Sequence, residues 1–543
     1  MARMYDRPTL GPDGWIIDET PTPNPVYVEA QTDPLTGGSV FYTNDGGRML
    51  AQGANGNTFV LFGDSLTEMC HAITTLTPGS EISASGGICT IARGSTQGLY
   101  SGQLVGIYRT PDEDYLGLHR ITVTGGSSST FPISATAAAQ PELRSYATTV
   151  GMFVYGKTSD RSWFSWGNSL SGCRARCVNV SAVGGDRTEH LLARIDSDFN
   201  GVPSYLPSYC TVLIGINDLI NSVSADTVIT HLESIYATLL NNGVRVIAIT
   251  LTPLASGHAS YGNATVAQNI LKVNRYIRKK ATETTGMFLC DFFSVIADPL
   301  ATTLGAASGM LATDGIHFSA QGARAAGVLF ADVLQSLIPS QNLLVASAAD
   351  SYSVSSASAQ LFDNPLFTGT GGTKNTGFTG TVADNVTVGR SGSGSHTGVC
   401  AVVSRSDGVG NNQQVAITFT ANNEIAEIKN TTSVHGRVSE GDLIRTVCSL
   451  KWTGATNIKS IRVLVYATDG TNYPTTEARE QSATTYNQSD FDGVFITPPF
   501  RVPAGMTSIS AKVYVVAAGA GGITIEVGRM TLTKDDYSES SLI

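Results

Sequence analysis

The chain has 543 residues, a formal net charge of −10 and a charged fraction of only 14%. A chain of this length holds about two to four domains, and its acidic balance argues against a generic binder of nucleic acid or of anionic membranes. The N-terminus lacks the continuous apolar core of a signal peptide, and no uncharged apolar run has transmembrane length. The sequence therefore predicts a soluble chain with no membrane insertion.

The first segment, residues 1–50, is rich in Pro, Gly, Thr and Asp and shows no sustained helical period. Gly and Pro interrupt regular structure, so this composition is typical of an extended segment. We interpret it as an N-terminal arm or attachment segment that needs a partner surface to become ordered.

Residues 51–340 alternate strand-like apolar runs with amphipathic helical stretches. The predicted strands are 58–62, 177–183, 208–214, 244–251 and 287–292. The predicted helices are 187–198, 225–242, 264–284 and 320–337. This alternation is the pattern of a parallel sheet covered by helices on both faces, which is an α/β three-layer sandwich.

One long interruption, residues 72–160, separates the first strand from the rest of this pattern. It carries Gly-Gly, Ser-Ser-Ser and Thr/Val-rich stretches, and 103–108 and 119–123 are typical of β-hairpins. We predict an inserted β subdomain that caps or extends a substrate groove, or contacts a neighbouring subunit.

The remainder of the chain has a different pattern. Residues 341–360 include a Ser/Ala-rich stretch that predicts a linker. Residues 361–543 show short alternating strands, such as 414–419 and 460–466, separated by Gly/Asn/Asp/Ser turns and without a convincing helix. This pattern predicts an all-β sandwich of jelly-roll type.

Four short blocks carry the chemistry. Phe62-Gly63-Asp64-Ser65-Leu66-Thr67-Glu68 follows the first strand, so Ser65 lies on a tight glycine turn where its hydroxyl is presented. A serine hydroxyl is a weak nucleophile unless a base takes its proton, so the chain must also supply a base and an orienting carboxylate. The other blocks lie at 184–188, 215–218 and 313–318.

These blocks, in this order, resemble the SGNH subgroup of the GDSL hydrolases, which are esterases named for a Ser, a Gly, an Asn and a His. The resemblance implies an SGNH-type three-layer fold and a serine esterase that needs no cofactor. Family members connect the first two blocks with far less chain, so the 72–160 insertion departs from the family pattern.

The resemblance assigns a role to five residues. Ser65 is the expected nucleophile, His317 the general acid and base, and Asp314 the carboxylate that holds the imidazole. The Ser65 N–H, the Gly185 N–H and the Asn217 side-chain amide are the expected oxyanion donors.

Each of these residues also has an ordinary structural interpretation. Ser65 could be a turn serine that caps a helix, Asp314 could cap the following helix beside a surface His317, and Gly185 and Asn217 could be turn residues. Four blocks in the family's order favour the catalytic interpretation.

His258 follows a predicted strand and is a weaker candidate for contact with the substrate, with a plain surface histidine as the alternative. The remaining histidines show no metal-ligand spacing, so we predict no metal.

The domain combination suggests a substrate. A β insertion and a possible sugar-binding sandwich beside the hydrolase, without an obvious apolar lid helix, favour an O-acetylesterase that acts on an acetylated polysaccharide. Segments 362–367 and 523–532 are loosely similar to carbohydrate-binding modules, which would hold the polymer near the site. The alternatives are a lipase or thioesterase and a catalytically inactive glycan-binding adhesin.

The missing secretion signal, the Gly/Ser/Thr-rich β modules and the N-terminal arm look like a bacteriophage tail fibre or tailspike. Such proteins are typically trimeric and are released by host lysis. On this interpretation we expect a homotrimer on a virion tail, and otherwise a cytoplasmic enzyme.

Overall fold

The computed structural model of the chain describes residues 9–10, 15–17, 27–32, 39–43, 48–50, 56–92, 99–125, 128–144, 147–200, 207–341, 343–352, 360–479 and 489–534. Within the predicted arm it describes the backbone of five short strands, which pair in chain order as an antiparallel sheet. These strands are β1 Thr9–Leu10, β2 Trp15–Ile17, β3 Tyr27–Thr32, β4 Ser39–Thr43 and β5 Arg48–Leu50. The rest of the arm and residues 353–359 of the predicted linker lie outside the described residues.

The α/β region and its insertion contain strands and helices in the following order. The first part contains β6 Thr58–Gly63, α1 Ser65–Glu68, β7 His71–Leu76, β8 Ile82–Ser85, β9 Ile88–Ala92, β10 Leu104–Tyr108, β11 Gly117–Arg120, β12 Thr122–Gly125, β13 Ser128–Pro132 and β14 Val150–Thr158. The second part contains α2 Trp163–Leu170, β15 Arg176–Ala182, α3 Thr188–Asn200, β16 Tyr209–Leu213, α4 Ile216–Ile220, α5 Ala225–Asn241, β17 Arg245–Ile249, α6 Ala264–Glu283, β18 Met287–Cys290, α7 Phe292–Ile296 and α8 Ala320–Leu337.

Five of these strands form the central sheet, which is parallel throughout and has the order β15-β6-β16-β17-β18. Every residue of β6 is buried, as expected for a strand covered on both faces. Helices α3, α5 and α6 pack against one another in one layer, and α2, α7 and α8 form a second. On the second layer's side, Phe59 of β6 contacts Phe164 and Phe330. This α/β architecture is the one predicted for residues 51–340.

The predicted strands and helices match this region closely, but four helices of the structure, α1, α2, α4 and α7, have no predicted counterpart. Every predicted strand and helix is present with bounds within a few residues of those expected. Helix α2 was not predicted, because its sequence Trp-Phe-Ser-Trp-Gly-Asn-Ser-Leu mixes aromatic residues with Gly and Asn. All of its residues except Leu170 are buried, so tertiary packing outweighs local propensity there.

The insertion is rich in β structure, and its strands belong to two sheets. Strands β11, β10, β14 and β7 pair antiparallel, and β14 also pairs in parallel with Thr475–Ala478 of the C-terminal region, so this sheet continues into that region. The other sheet has the order β12-β13-β9-β8. Within the segment 119–123, for which β-hairpin structure is predicted, β11 and β12 belong to different sheets. The chain changes sheet at Ile121, which is buried and donates its N–H to Gln103 O.

The C-terminal region is composed of β strands. They are β19 Gly371–Lys374, β20 Phe378–Gly380, β21 Val382–Arg390, β22 Thr397–Ser404, β23 Asn411–Phe419, β24 Ile425–Asn430, β25 Leu443–Thr468, β26 Thr475–Ala478, β27 Phe491–Ile496, β28 Phe500–Arg501 and β29 Ser508–Lys534. Short 3-10 helices occupy Ala348–Asp350 and His435–Arg437. Within 360–479 and 489–534 there is no α-helix. An all-β C-terminal region is therefore present, and its jelly-roll topology stays a prediction.

Two long strands organise this region. β25 and β29 pair along most of their length, and their register shifts at four places. Such irregularities let a strand bend. As a result, the first half of β29 pairs with β24 and the second half pairs with β23.

The β-rich region packs closely against the α/β region. Arg479 is 2% exposed, and its guanidinium carbon lies 4.1 Å from the Trp166 ring centre of α2 and 4.4 Å from that of Phe495. The backbone N–H of Arg479 also donates to Thr158 Oγ1 at 2.8 Å. A single buried hydrophobic cluster contains residues of both regions, so the two share one core. None of the helices in the described ranges is long and apolar enough to cross a lipid bilayer.

Replacement of Arg479 by alanine should destabilise this junction. The variant loses cation–π contacts and leaves a void between two aromatic rings, so we expect a loss of about 2–4 kcal/mol in unfolding free energy. Thermal unfolding followed by tryptophan fluorescence measures the change. Lys451→Ala, at an exposed position, is the control, and equal melting temperatures for both variants would contradict the packing role of Arg479.

Candidate active site

Three predicted site residues meet in one hydrogen-bonded series. His317 Nε2 lies 2.8 Å from Ser65 Oγ, although 252 positions separate the two residues. The other ring nitrogen, Nδ1, lies 3.0 Å from Asp314 Oδ2. Since a carboxylate only accepts, Nδ1 carries the proton and Nε2 is left to accept from the Ser65 hydroxyl.

The loop that carries Asp314 and His317 is fixed by its own backbone. The N–H groups of Ile316 and His317 both donate to Asp314 Oδ1 at 3.0 Å. Partial burial by itself would raise the pKa of Asp314, but these donors and the His317 ring outweigh it and hold the pKa below its ordinary value. Asp314 is therefore an anion at neutral pH, as a partner for the imidazole must be.

Gly315 allows this loop to approach its neighbour. Its φ is +73°, and a Cβ placed there would lie 2.5 Å from the backbone nitrogen of His258 and 2.6 Å from the carbonyl oxygen of Ala255. Only glycine fits such a position without displacing backbone. The Gly315 carbonyl in turn accepts from the Ala255 N–H at 2.8 Å. The loop after β17 therefore supports the Asp314–His317 loop.

His258 lies on this supporting loop. Its backbone N–H donates to Ala255 O, and its Nδ1 accepts from the Ser260 N–H at 3.1 Å. One ring nitrogen is thus used within the loop, which leaves Nε2 as the group that could meet a ligand. Contact between His258 and a substrate stays a prediction.

Ser65 lies at the start of the short helix α1. Asp64 caps this helix, because its Oδ1 accepts from the Leu66 N–H at 3.0 Å. The turn places Ser65 Oγ toward His317, and Ser65 is only 8% exposed.

Gly185 and Asn217 follow the strands on either side of β6. Asn217 Nδ2 donates to Asp186 O at 3.0 Å, which ties the Asn217 side chain to the residue after Gly185. The Gly185 φ of +86° turns the chain at this point. The loop after β6 is hydrogen-bonded to both neighbours, through Val183 N to Gly63 O and through Asp64 N to Leu213 O.

Buried charges lie behind the turn that carries Ser65, and no sequence pattern predicts their pairing. Glu68 is fully buried, and one guanidinium nitrogen of Arg109, from the end of β10 in the insertion, lies 2.8 Å from both of its carboxylate oxygens. Burial raises the pKa of Glu68, and the Arg109 charge opposes that rise. A Cβ at Gly184 would lie 2.0 Å from Arg109 Nη2. The insertion is therefore fastened to the residues that flank the site.

A second buried network supports the neighbouring loops. Asp186 accepts from Arg194 Nε at 2.9 Å, and the Asp218 carboxylate accepts from both the N–H and the hydroxyl of Thr188. The Thr188 hydroxyl oxygen in turn lies 2.9 Å from His231 Nδ1. These contacts hold the start of α3 against the start of α4, next to Gly185 and Asn217.

Comparison with known families agrees with this architecture. Residues 146–325 match the model of the GDSL-like lipase/acylhydrolase family. This segment contains Gly185, Asn217, Asp314 and His317, and it begins after Ser65 and most of the insertion. The match supports a GDSL-type acylhydrolase domain with the SGNH α/β fold in this part of the chain. No curated protein sequence matches the chain.

Solved structures that resemble parts of the chain include three bacterial proteins. A GDSL-like lipase from Bacteroides thetaiotaomicron VPI-5482 is 15% identical, covering 30% of this chain and 76% of its own, with a TM-score of 0.26. A mutant acetyl-xylooligosaccharide esterase from Geobacillus Stearmophilus is 15% identical, covering 52% and 94%, with a TM-score of 0.30. A carbohydrate acetylesterase family member from Sinorhizobium meliloti is 17% identical, covering 33% and 86%, with a TM-score of 0.27.

The buried Asp64 carboxyl should make stability depend on pH. Burial is the largest cause that raises the pKa of Asp64, and the nearby carboxylates of Asp186, Asp218 and Glu68 raise it further. The hydrogen bond from the Leu66 N–H opposes this rise, and the resulting pKa is about 8 instead of 3.8. Between about pH 4 and pH 8 the folded state therefore keeps a proton on Asp64 that the unfolded state has lost. As the pH rises through this window, the unfolding free energy falls by up to about 1.4 kcal/mol per pH unit because of Asp64.

Asp64→Asn replaces this carboxyl with a neutral group of the same shape. We expect the melting temperature of the variant to fall less steeply than that of the wild type between pH 5 and pH 8. Parallel melting-temperature profiles for the two proteins would show that Asp64 does not bind this proton.

Proposed function

We propose that the chain is a serine esterase that cleaves ester bonds through an acyl-enzyme at Ser65. The observation that carries the proposal is the series from Ser65 Oγ through His317 to Asp314, with separations of 2.8 Å and 3.0 Å. Nucleophile, base and orienting carboxylate in hydrogen-bond contact are the arrangement that activates a hydroxyl.

The reaction then proceeds in two halves. His317 Nε2 takes the Ser65 proton as Oγ attacks the ester carbonyl, and it later gives that proton to the departing alkoxide. Water then attacks the acyl carbonyl with His317 as the base, and His317 gives that proton to Ser65 Oγ as the bond to the acyl group breaks and the acid leaves. Asp314 stays ionised and stabilises the imidazolium formed in each half.

Negative charge on the carbonyl oxygen needs donors that are fixed before the reaction. We propose the Ser65 N–H, the Gly185 N–H and Asn217 Nδ2 for this role. The support for Asn217 is that its amide group is already oriented by the Asp186 carbonyl, so little reorganisation is needed when charge develops.

For the substrate we propose an ester on a polysaccharide, most simply an O-acetyl group. Two features support this choice. The β insertion is fastened beside the nucleophile through Arg109 and Glu68, and the C-terminal β region shares a core with the hydrolase region. The insertion provides extended surface next to the residues that flank Ser65, and the C-terminal region adds further surface to the same body, which suits a polymer better than a small free ester.

A tail-fibre or tailspike role, as a homotrimer on a virion, is part of the same proposal. The sequence features that support it are the N-terminal arm and the abundance of Gly/Ser/Thr-rich β modules. A solution mass of three chains would support the proposal, and a mass of one chain would count against it.

Ser65→Ala and Asn217→Ala test the chemistry. On a short-chain aryl acetate, Ser65→Ala should abolish measurable turnover, and Asn217→Ala should lower kcat by about a hundredfold or more, since one oxyanion donor contributes on the order of 3 kcal/mol. Circular dichroism and melting temperature verify that both variants are folded. Full turnover by Ser65→Ala would refute the mechanism, and an inactive wild type would favour the adhesin alternative.

The substrate class is tested separately with the wild-type protein. We expect acetate to be released from at least one acetylated polysaccharide in a panel, with Ser65→Ala as the blank. Esters of increasing acyl length should show a preference for acetyl. A preference for long acyl chains or thioesters, with no acetate released from any polymer, would point to the lipase or thioesterase alternative.

A further inference from the structure

A cavity of about 290 Å³ lies between the insertion and the edge of the central sheet. Its walls come from β10, β11, β14 and Arg144 before β14 on one side, and from β15 and α3 on the other. The volume is close to the lower end of the range for small-molecule sites, roughly 300–1,000 Å³. Its lining includes Val183, two residues before Gly185, and Arg109, which pairs with Glu68 in α1. The cavity therefore lies beside the candidate active site.

Four polar side chains that line this cavity have no side-chain hydrogen bond among the described residues. They are the Arg144 guanidinium, the Asn179 amide and the hydroxyls of Tyr108 and Tyr155. Arg144 Nε is buried without a hydrogen-bond partner, and within the described part of the chain no carboxylate forms an ion pair with Arg144. A half-buried cation without a counter-charge is costly, and an anionic ligand would offset that cost.

The other charged groups in the lining are already paired. Arg109 is held by Glu68, and Arg194 is held by Asp186 and Asp198. Asp198 is the acidic group that a bound anion would meet, but its carboxylate also accepts from the Ser181 hydroxyl at 2.6 Å, and Arg194 neutralises it. Arg144 is therefore the charge that this cavity offers to a ligand.

The remaining wall is aromatic and apolar. The rings of Tyr108 and Phe153 stack at 4.2 Å, and Leu116 and Leu118 are exposed at the mouth of the cavity, by 40% and 53%. A flat apolar surface with a few convergent donors and acceptors suits a sugar ring, which has C–H faces and hydroxyl edges.

We propose that this cavity binds a sugar residue that bears a carboxylate, with the carboxylate on Arg144 and the hydroxyls on Asn179 and Tyr155. The inference rests on the proposed function, because it makes an acidic polysaccharide the substrate and places one acidic unit of that polymer beside Gly185. The neighbouring unit would then carry the ester toward Ser65.

The test measures binding, without turnover, in a Ser65→Ala background. The probes are glucuronate, galacturonate and N-acetylneuraminate, with glucose and galactose as neutral counterparts and with sodium acetate and sulfate as simple anions. Saturation-transfer NMR titrations give the affinities. We expect at least one acidic sugar to bind more tightly than the neutral sugars and the simple anions.

Matched variants then locate the site. Arg144→Gln should weaken that binding by at least about tenfold, which is the loss expected for one charge-assisted hydrogen bond. Tyr155→Phe keeps the ring and should weaken binding by about fivefold. Arg120→Gln, in the same subdomain but outside the cavity, should leave the affinity unchanged.

Three outcomes would overturn the proposal. They are no binding of any acidic sugar, binding that both Arg144→Gln and Tyr155→Phe leave intact, and equally tight binding of acetate or sulfate, which would indicate a general anion site. Failure of the esterase proposal is distinct, since it appears as absent aryl acetate turnover by the wild type.

Discussion

The position of β6 between two parallel neighbours is the constraint on which the candidate site depends. Gly63, the last residue of β6, is in register with Ala182 of β15 and with Leu213 of β16. Because parallel strands end at the same edge, the loops that follow these three strands are brought together there. Those loops carry Ser65, Gly185 and Asn217. A shift in pairing would separate the nucleophile from the loops that flank it.

The charges buried beneath these loops explain how so many polar groups are tolerated there. Glu68, Asp186 and Asp218 are each nearly inaccessible, and each meets a specific partner in Arg109, Arg194 or Thr188. Breaking either of the two ion pairs, Glu68–Arg109 or Asp186–Arg194, typically leaves one buried charge without compensation, at a cost of about 3–5 kcal/mol. The pairs therefore specify the loop positions, since alternative arrangements would expose an unpaired charge to a low-dielectric interior.

Much of this architecture could be predicted from sequence because its signals are local. Strand β6 is a short apolar run, and α6 follows a helical period with Asn263 as its cap. The series Ser65, His317 and Asp314 follows from blocks whose order is typical of one family, and the coordinates bring these three residues together.

The parts that sequence did not reveal depend on contacts between distant segments. Arg109 and Glu68 are 41 positions apart, and nothing in either local sequence indicates that they pair. The change of sheet at Ile121 depends on a backbone contact with Gln103. The position of the β-rich region relative to the α/β region could not be predicted either, because Arg479 and Trp166 are far apart in the sequence and no local pattern indicates that they are in contact.

The ion pair between Arg109 and Glu68 has a consequence for how the sequence of this protein can vary. An accessory loop that merely covers a groove can be shortened or exchanged without harm to the catalytic core. Here removal of the insertion would leave the buried carboxylate of Glu68, three residues from Ser65, without its Arg109 partner. Changes in the insertion and in the α/β region must therefore be compatible with each other. Through the same ion pair, a displacement of the outer surface of the insertion would be transmitted to the turn that carries Ser65.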